Sequence, residues 1–177
     1  MSTYWISKSL SWLSDMPSFD IVSKIDIQTL DNVVNVVRKE IATRYDFRDS
    51  KSEIDLDKKS MGISILTENE MRIEAIEDML RARMIKQKLD PLSLDFAKQR
   101  VASGSMIKKE IVIRQGIDKD NARKIIKLIK ETKLKVEPQG MDDQVRVSAK
   151  KIDDLQAVMG HIRNTELDIP VQFTNFK

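Results

Sequence analysis

Hydrophobic positions along the chain recur with two periods, and the alternation between them predicts its elements. Spacing near 3.6 residues, the mark of a helix with one buried face, occurs four times. Leu30, Val33, Val34, Val37 and Ile41 share one face of the first predicted helix, with Thr29 as its candidate N-cap. Ile73, Ile76, Leu80 and Met84 mark the second. Ala122, Ile125, Ile126 and Ile129 mark the third, with Asp118 as candidate cap after Gly116. Ile152, Leu155, Val158, Met159 and Ile162 mark the fourth, where Asp153 and Asp154 sit in the first turn that the helix dipole favours for acids. Between the helices, apolar and polar residues alternate as in half-buried strands. Ile54 and Leu56 precede "DKKS", and Met61, Ile63 and Ile65 follow it. Leu134 and Val136 precede "PQGMDD", and Val145 and Val147 follow it. Both pairs read as hairpins, the second opened by Pro138 and Gly140.

The order strand, helix, hairpin, helix thus occurs twice, and "IVSKIDIQTLDNVV" in the first half echoes "IVIRQGIDKDNARKII" in the second. One β-α-β-β-α-β unit is the ferredoxin-like split βαβ, an antiparallel sheet with two helices on one face. The predicted fold class is therefore α+β, two tandem ferredoxin-like domains over residues 16–100 and 101–177. The second ends on a natural fourth strand, "VQFTNF", whereas the first offers only "LDPLSLDF", short and interrupted by Pro91. "SMIKKEIVIRQ" is longer than one strand position requires. Either it serves the first sheet or the two units exchange edge strands. Residues 1–15 contain both tryptophans, but Ser and Lys interrupt every apolar run, so they make a poor signal peptide. They are expected to be a disordered or non-native extension ahead of a natural start at Met16.

Composition narrows the chemistry. The absence of cysteine excludes disulfides and thiolate metal sites and fits a reducing, cytoplasmic setting. No apolar run approaches the roughly 20 residues of a membrane-spanning helix, and no membrane partner is expected. Residues 16–100 carry 15 basic and 16 acidic side chains, and residues 101–177 carry 15 and 11, so an anionic partner is expected on the second domain. The charge concentrates in "RQGIDKDNARKIIKLIKETKLKV", with eight basic and three acidic residues.

Two arrangements in that half point to phosphate. Lys119, Arg123, Lys127 and Lys130, spaced four, four and three apart, form a basic stripe on the third helix. Alternation turns Lys135 and Arg146, and Arg114 if Ile111 and Ile113 are core, onto the open face of the second sheet. The first sheet presents Glu53, Asp55 and Asp57 instead, which repel phosphate. In "RYDFR", Arg44 and Arg48 bracket Tyr45 and Phe47, the pairing of guanidinium and ring that holds a phosphate and stacks a base. Phe173 and Phe176 on the last strand read as core rather than as a stacking platform.

Other chemistries lack their residues. No G-x-x-x-x-G-K-[ST] or G-x-G-x-x-G occurs, and the central strands "VRVSA" and "GISIL" lack the aromatics of RNA-recognition motifs. His161 is the sole histidine and has no partner at metal-site spacing. Glu70, Glu74, Glu77 and Asp78 read as a solvated helix face balanced by Arg81 and Arg83. No catalytic group, metal or cofactor is expected.

Several longer stretches carry a resemblance. "MPSFDIVS", "RYDFR", "QGIDKDNARKIIKLIKETKLKV", "QVRVSAKKIDDLQ" and "QFTNF" resemble the YajQ family of bacterial nucleotide-binding proteins, from Met16 to Lys177. The resemblance implies two ferredoxin-like domains related by duplication, a cytoplasmic protein without enzymatic activity, and binding of RNA or of a nucleotide such as cyclic di-GMP, GTP or ATP. The expected function is non-enzymatic nucleotide or RNA binding through the basic second domain, with a cyclic di-GMP effector as one form of it. The alternative is an adaptor whose basic face meets an acidic protein such as a transcription regulator.

Overall fold

A computed structural model of the chain describes residues 16–97 and 100–177. The expected extension over residues 1–15 lies outside the described residues. Four helices form where the 3.6-residue pattern places them, and three have a short polar side chain closing the first turn. In α1 (Ile27–Thr43) the cap is Asp26, whose Oδ1 accepts from the Gln28 and Thr29 amides at 3.0 and 3.4 Å. Thr29, the expected cap, instead donates its hydroxyl to Asp26 Oδ2 at 2.7 Å. Asn69 caps α2 (Glu70–Lys86), and Asp118 caps α3 (Lys119–Glu131) by accepting from Asn121 N–H at 2.7 Å. At the start of α4 (Ile152–Arg163) stands Lys151, which makes no such bond.

Strands β1 (Ser18–Val22), β2 (Glu53–Asp57), β3 (Gly62–Thr67), β4 (Leu94–Asp95), β5 (Arg100–Ser103), β6 (Met106–Ile113), β7 (Val136–Gly140), β8 (Gln144–Ala149) and β9 (Gln172–Thr174) build two antiparallel sheets. The sheet orders are β2-β3-β6-β4, with β5 also on β6, and β7-β8-β1-β9. Each, with its two helices, is a ferredoxin-like unit, as predicted.

The units are not consecutive along the chain, and here the structure differs from a division at residue 100. Lys24–Gln115 forms a central unit, while the described residues up to Ser23, together with Gly116–Lys177, form a terminal unit. The strands that change places are central ones, β1 and β6, rather than edges. All five residues of β1 are buried, and β1 pairs on one side with β8 and on the other with β9. Phe19 and Ile21 join the terminal core with Ile125, Val145, Val147 and Val158. The length of β6 has the same explanation. It pairs with β3 from Gly62↔Val112 to Thr67↔Ile107 and along its other side with β4 and β5. Its Ile111 and Ile113 pack with Val33, Ile54, Ile73 and Leu80 in the central core. Full burial of each such side chain contributes roughly 1.5–3 kcal/mol, enough to hold a strand in a sheet remote in sequence.

Three local expectations change. Pro138 lies inside edge strand β7 rather than opening a loop. Met141 N–H donates to Gln144 O at 2.8 Å, so the bonded pairs of this ladder fall at odd-numbered β7 residues and the missing Pro138 N–H faces outward. That position blunts the edge against pairing with another chain. Near the C terminus, Asn175 adopts φ 53° and inserts one extra residue against β1. Asp20 pairs with Thr174, whereas Ser18 exchanges backbone bonds with Lys177 at 3.3 and 3.0 Å. Third, Glu77 is not a solvated helix residue. It is 5% exposed and forms an ion pair with the equally buried Lys109 of β6.

Candidate phosphate-binding groove

The positive charge of the terminal unit is distributed differently from the expectation. Arg146 of β8 does lie on the sheet face away from the helices, but β1 brings Asp20 opposite it. The Arg146 Nε and Nη2 donate to the two Asp20 carboxylate oxygens at 2.8 and 3.1 Å, and Asn175 Nδ2 adds a bond at 2.8 Å. The hydrogen bonds from Arg146 hold the buried Asp20 carboxyl below its usual range against the opposing push of burial. Arg114 directly follows β6 in the central unit, where it pairs with Asp95 at 3.6 Å and donates to Leu92 O. The structure therefore does not bring Arg114, Lys135 and Arg146 together on one face.

Exchange of the strands also evens the net charge. The central unit has 18 basic and 16 acidic residues, and the terminal unit 13 and 12. Both units hold paired cations, among them Lys124 and Arg146 in the terminal unit. In the central unit Arg38, Lys58, Arg72, Arg81, Arg83 and Lys109 each reach a carboxylate within an ion-pair distance. In the terminal unit, four lysines gather around one groove of about 660 Å³ without such a partner among the described residues. Lys133 and Lys135 come from the α3–β7 connection, and Lys150 and Lys151 from the β8–α4 connection. Leu134, Val136 and Met16 give the groove an aliphatic wall, and Glu137, Ser148 and Asp154 complete it. Its size falls in the usual range for small-molecule sites, and it contains no aromatic side chain.

Local backbone explains the convergence. Helix α3 stops at Thr132, whose hydroxyl donates to Ile129 O at 2.6 Å, and Lys133 turns the chain with φ 54°. The antiparallel β7–β8 pair then sets the start of β7 against the end of β8, with Val136 opposite Ala149. Lys135 and Lys150, flanking that pair, belong to the same end of the sheet.

The basic stripe of α3 is exposed along its length. At about 100° per residue, Lys119, Arg123, Lys127 and Lys130 cluster on one flank of the helix, beside its apolar stripe rather than opposite it. Two contacts orient that flank. Lys124, on the far side, reaches Asp168 at 2.6 Å, while Ile126, at the stripe's border, leans toward Gly140 of β7. The stripe thus borders the β7 edge and leads at Lys130 toward the groove. Arg123 has only a loose 3.7 Å pairing with Asp120.

In the central unit, "RYDFR" forms the end of α1 and a short 3-10 turn. Phe47 is 4% exposed in the core, so its ring is not open to a base. Arg44 pairs with Asp46 at 2.8 Å and lies 5.7 Å from the Phe47 ring centroid. Arg48 and Tyr45 are exposed. Among the last-strand aromatics, Phe173 packs edge-on to Phe19 at 5.5 Å and Phe176 stacks on Phe19 at 6.2 Å. The bulge at Asn175 is what brings both to one side.

Sequence reasoning named Lys135 but not the other three groove lysines as ligands. The available signal was "SAKKIDD", two lysines directly before a helix, where an acidic or hydroxyl cap is the ordinary choice. Among the described residues no cluster of His, Cys, Asp or Glu is arranged to hold a metal, and no helix is long and apolar enough to cross a membrane.

Two antiparallel sheets, each with two helices, make this a protein of two ferredoxin-like, split-βαβ units. The chain belongs to the family described as nucleotide-binding protein YajQ-like, whose model matches residues 17–177. It is 56% identical over 162 residues to a nucleotide-binding protein of Cytophaga hutchinsonii, covering 92% of this chain and 100% of that protein. Nucleotide-binding proteins of Oleidesulfovibrio alaskensis and Nitratidesulfovibrio vulgaris are each 49% identical over the same length, covering 92% of this chain and 99% of theirs.

Proposed function

We propose that the chain is a cytoplasmic, non-enzymatic binding protein that takes nucleotides or RNA through their phosphates on the terminal unit. The supporting observation is the groove with four lysines that lack acidic partners. Unpaired ammonium groups around a cleft are an electrostatic cost that an anion relieves. The names of the relatives support the ligand class, and the lysine lining and volume of the groove support this choice of site. In this reading Lys135 contacts phosphate, and Lys119, Arg123, Lys127 and Lys130 attract it along the flank of α3. Arg146 has its Nη1 edge left for an anion once Asp20 holds the other edge. Cyclic di-GMP, with two phosphates linked in a ring, is the small ligand to test first.

The test is fluorescence anisotropy of labelled cyclic di-GMP at physiological salt, competed by GTP, ATP and a short RNA. Saturable binding, displaced by at least one competitor, is expected. If neither the labelled dinucleotide nor the RNA binds, the reading fails and the adaptor function takes its place.

A further inference from the structure

The groove says more about its ligand than that it is anionic. Its charged donors are all lysines, compact point charges that suit phosphate oxygens and lack the planar fork with which Arg reads a base edge. No Asn, Gln, Phe, Tyr or Trp lines it, so it holds neither the amides that pair with bases nor the rings that stack on them. Four lysines against two acids leave a net charge of two, and four separate ammonium groups drawn from two connections outnumber the three terminal oxygens of one phosphate monoester. The start of α4 also faces this field, with Asp153 and Asp154 in its first turn offsetting part of it. Its cap position holds Lys151 in place of an acceptor, at the end of the helix where the dipole already disfavours a cation.

We infer that Lys133, Lys135, Lys150 and Lys151 form a seat for two or more linked phosphates, recognising the phosphate chain and not the base. This rests on the proposed phosphate-led function and specifies its site. The linked phosphates can come from a nucleoside polyphosphate or from a nucleic-acid backbone, and base-free tripolyphosphate shares their chemistry.

Isothermal titration calorimetry of the full chain with inorganic tripolyphosphate tests the seat directly. ATP, CTP, adenosine and a 12-nucleotide single-stranded RNA serve as further titrants. Tripolyphosphate is expected to bind once per chain, ATP and CTP alike, and adenosine not at all. Replacing the four groove lysines with Gln is expected to weaken tripolyphosphate by at least about 30-fold, since each removes a charge-assisted contact. A charge-matched control changes Lys39, Lys59, Lys86 and Lys88 of the central unit to Gln, and should also stay within about threefold. Thermal melts of each variant confirm folding.

RNA binding that exceeds ATP binding, with a salt slope lowered by about 0.7 per lost lysine, identifies the backbone as the source. A stronger ATP than RNA response identifies the polyphosphate. Equal losses in the groove and control variants would show general surface charge and overturn the seat. Nucleotide binding that discriminates bases and survives the groove-to-Gln variant would also overturn it, while leaving the nucleotide-binding function intact. No binding by any titrant would overturn both.

Discussion

Asp20 of β1 and Arg146 of β8 face each other across the terminal sheet, joined by bonds of 2.8 and 3.1 Å with the acid 0% exposed. The acid is out of water and the base is half out. A carboxylate so placed is tolerable only because its oxygens are filled by Arg146 and Asn175. Arg146→Ala is therefore expected to lower stability by about 2 kcal/mol, since it strands a buried charge. Arg146→Lys, which keeps charge but not the two-pronged geometry, should recover part of that loss. Urea unfolding measures both, and an unchanged midpoint for Arg146→Ala would show that the pair contributes nothing. The same measurement has to accompany any binding assay on this residue.

Glu68 should govern part of the acid sensitivity. Burial pushes its carboxyl up, but bonds from Lys51 N–H, Ser50 and Thr67 prevail and take it down to about 2. Lys51 N–H donates at 2.6 Å, and Arg72 adds a charged bond at 2.9 Å. A depressed carboxyl stabilises the fold above its unfolded value of 4.5 and loses that stability as pH falls toward about 2. Stability followed across this window should fall by about 2 kcal/mol from this group, and less steeply in Glu68→Gln. Identical pH profiles for the two proteins would remove Glu68 as the cause.

The buried pair of Glu77 and Lys109 invites a double-mutant cycle. Each is 5% exposed, and Arg81 also reaches Glu77 at 3.3 Å. Glu77→Leu alone strands the buried Lys109 and should cost about 3–5 kcal/mol, whereas Lys109→Met leaves Glu77 with Arg81 and should cost less. Together they are expected to be near neutral, because apolar side chains of similar volume avoid the desolvation of both ions. Additive losses in thermal unfolding would contradict this.

Two glycines should respond in opposite directions to alanine. Gly116 has φ 79°, and a Cβ there would lie 3.0 Å from Asp143 Cβ. Gly116→Ala should destabilise by about 1–2 kcal/mol, from strain and crowding together. Gly160 lies within α4 with nothing within 4 Å of its would-be Cβ, so Gly160→Ala should stabilise by about 0.5–1 kcal/mol. Melting curves of the two variants decide the matter.

Much of the fold was legible in the chain. Val33, Ile73, Ile125 and Val158 sit on the buried faces their spacing predicted, and Asp118 caps α3 as expected. Asp26 was overlooked as a cap because Thr29 also fits the pattern, and only the loop geometry chooses between them. The site was less legible. Lys135 lies on the groove, and Lys133, Lys150 and Lys151 join it only because two connections separated in sequence meet at one sheet end. Phe47 looked like half of a base-stacking pair, and packing took its ring into the core.

By itself the sequence determined what is local: periodicity, element order, the duplicated β-α-β-β-α-β plan, and the absence of cysteine chemistry. Tertiary structure alone decided which sheet each first strand enters. "SFDIV" and "MIKKEIVI" carry interchangeable apolar patterns, and strand pairing depends on long-range burial that no local spacing records. That single decision brought Asp20 onto the face with Arg146 and took Arg114 to the other unit. It left the groove lysines as the cations of the terminal unit gathered around a cleft without acidic partners among the described residues, because pairing is a property of distance in space.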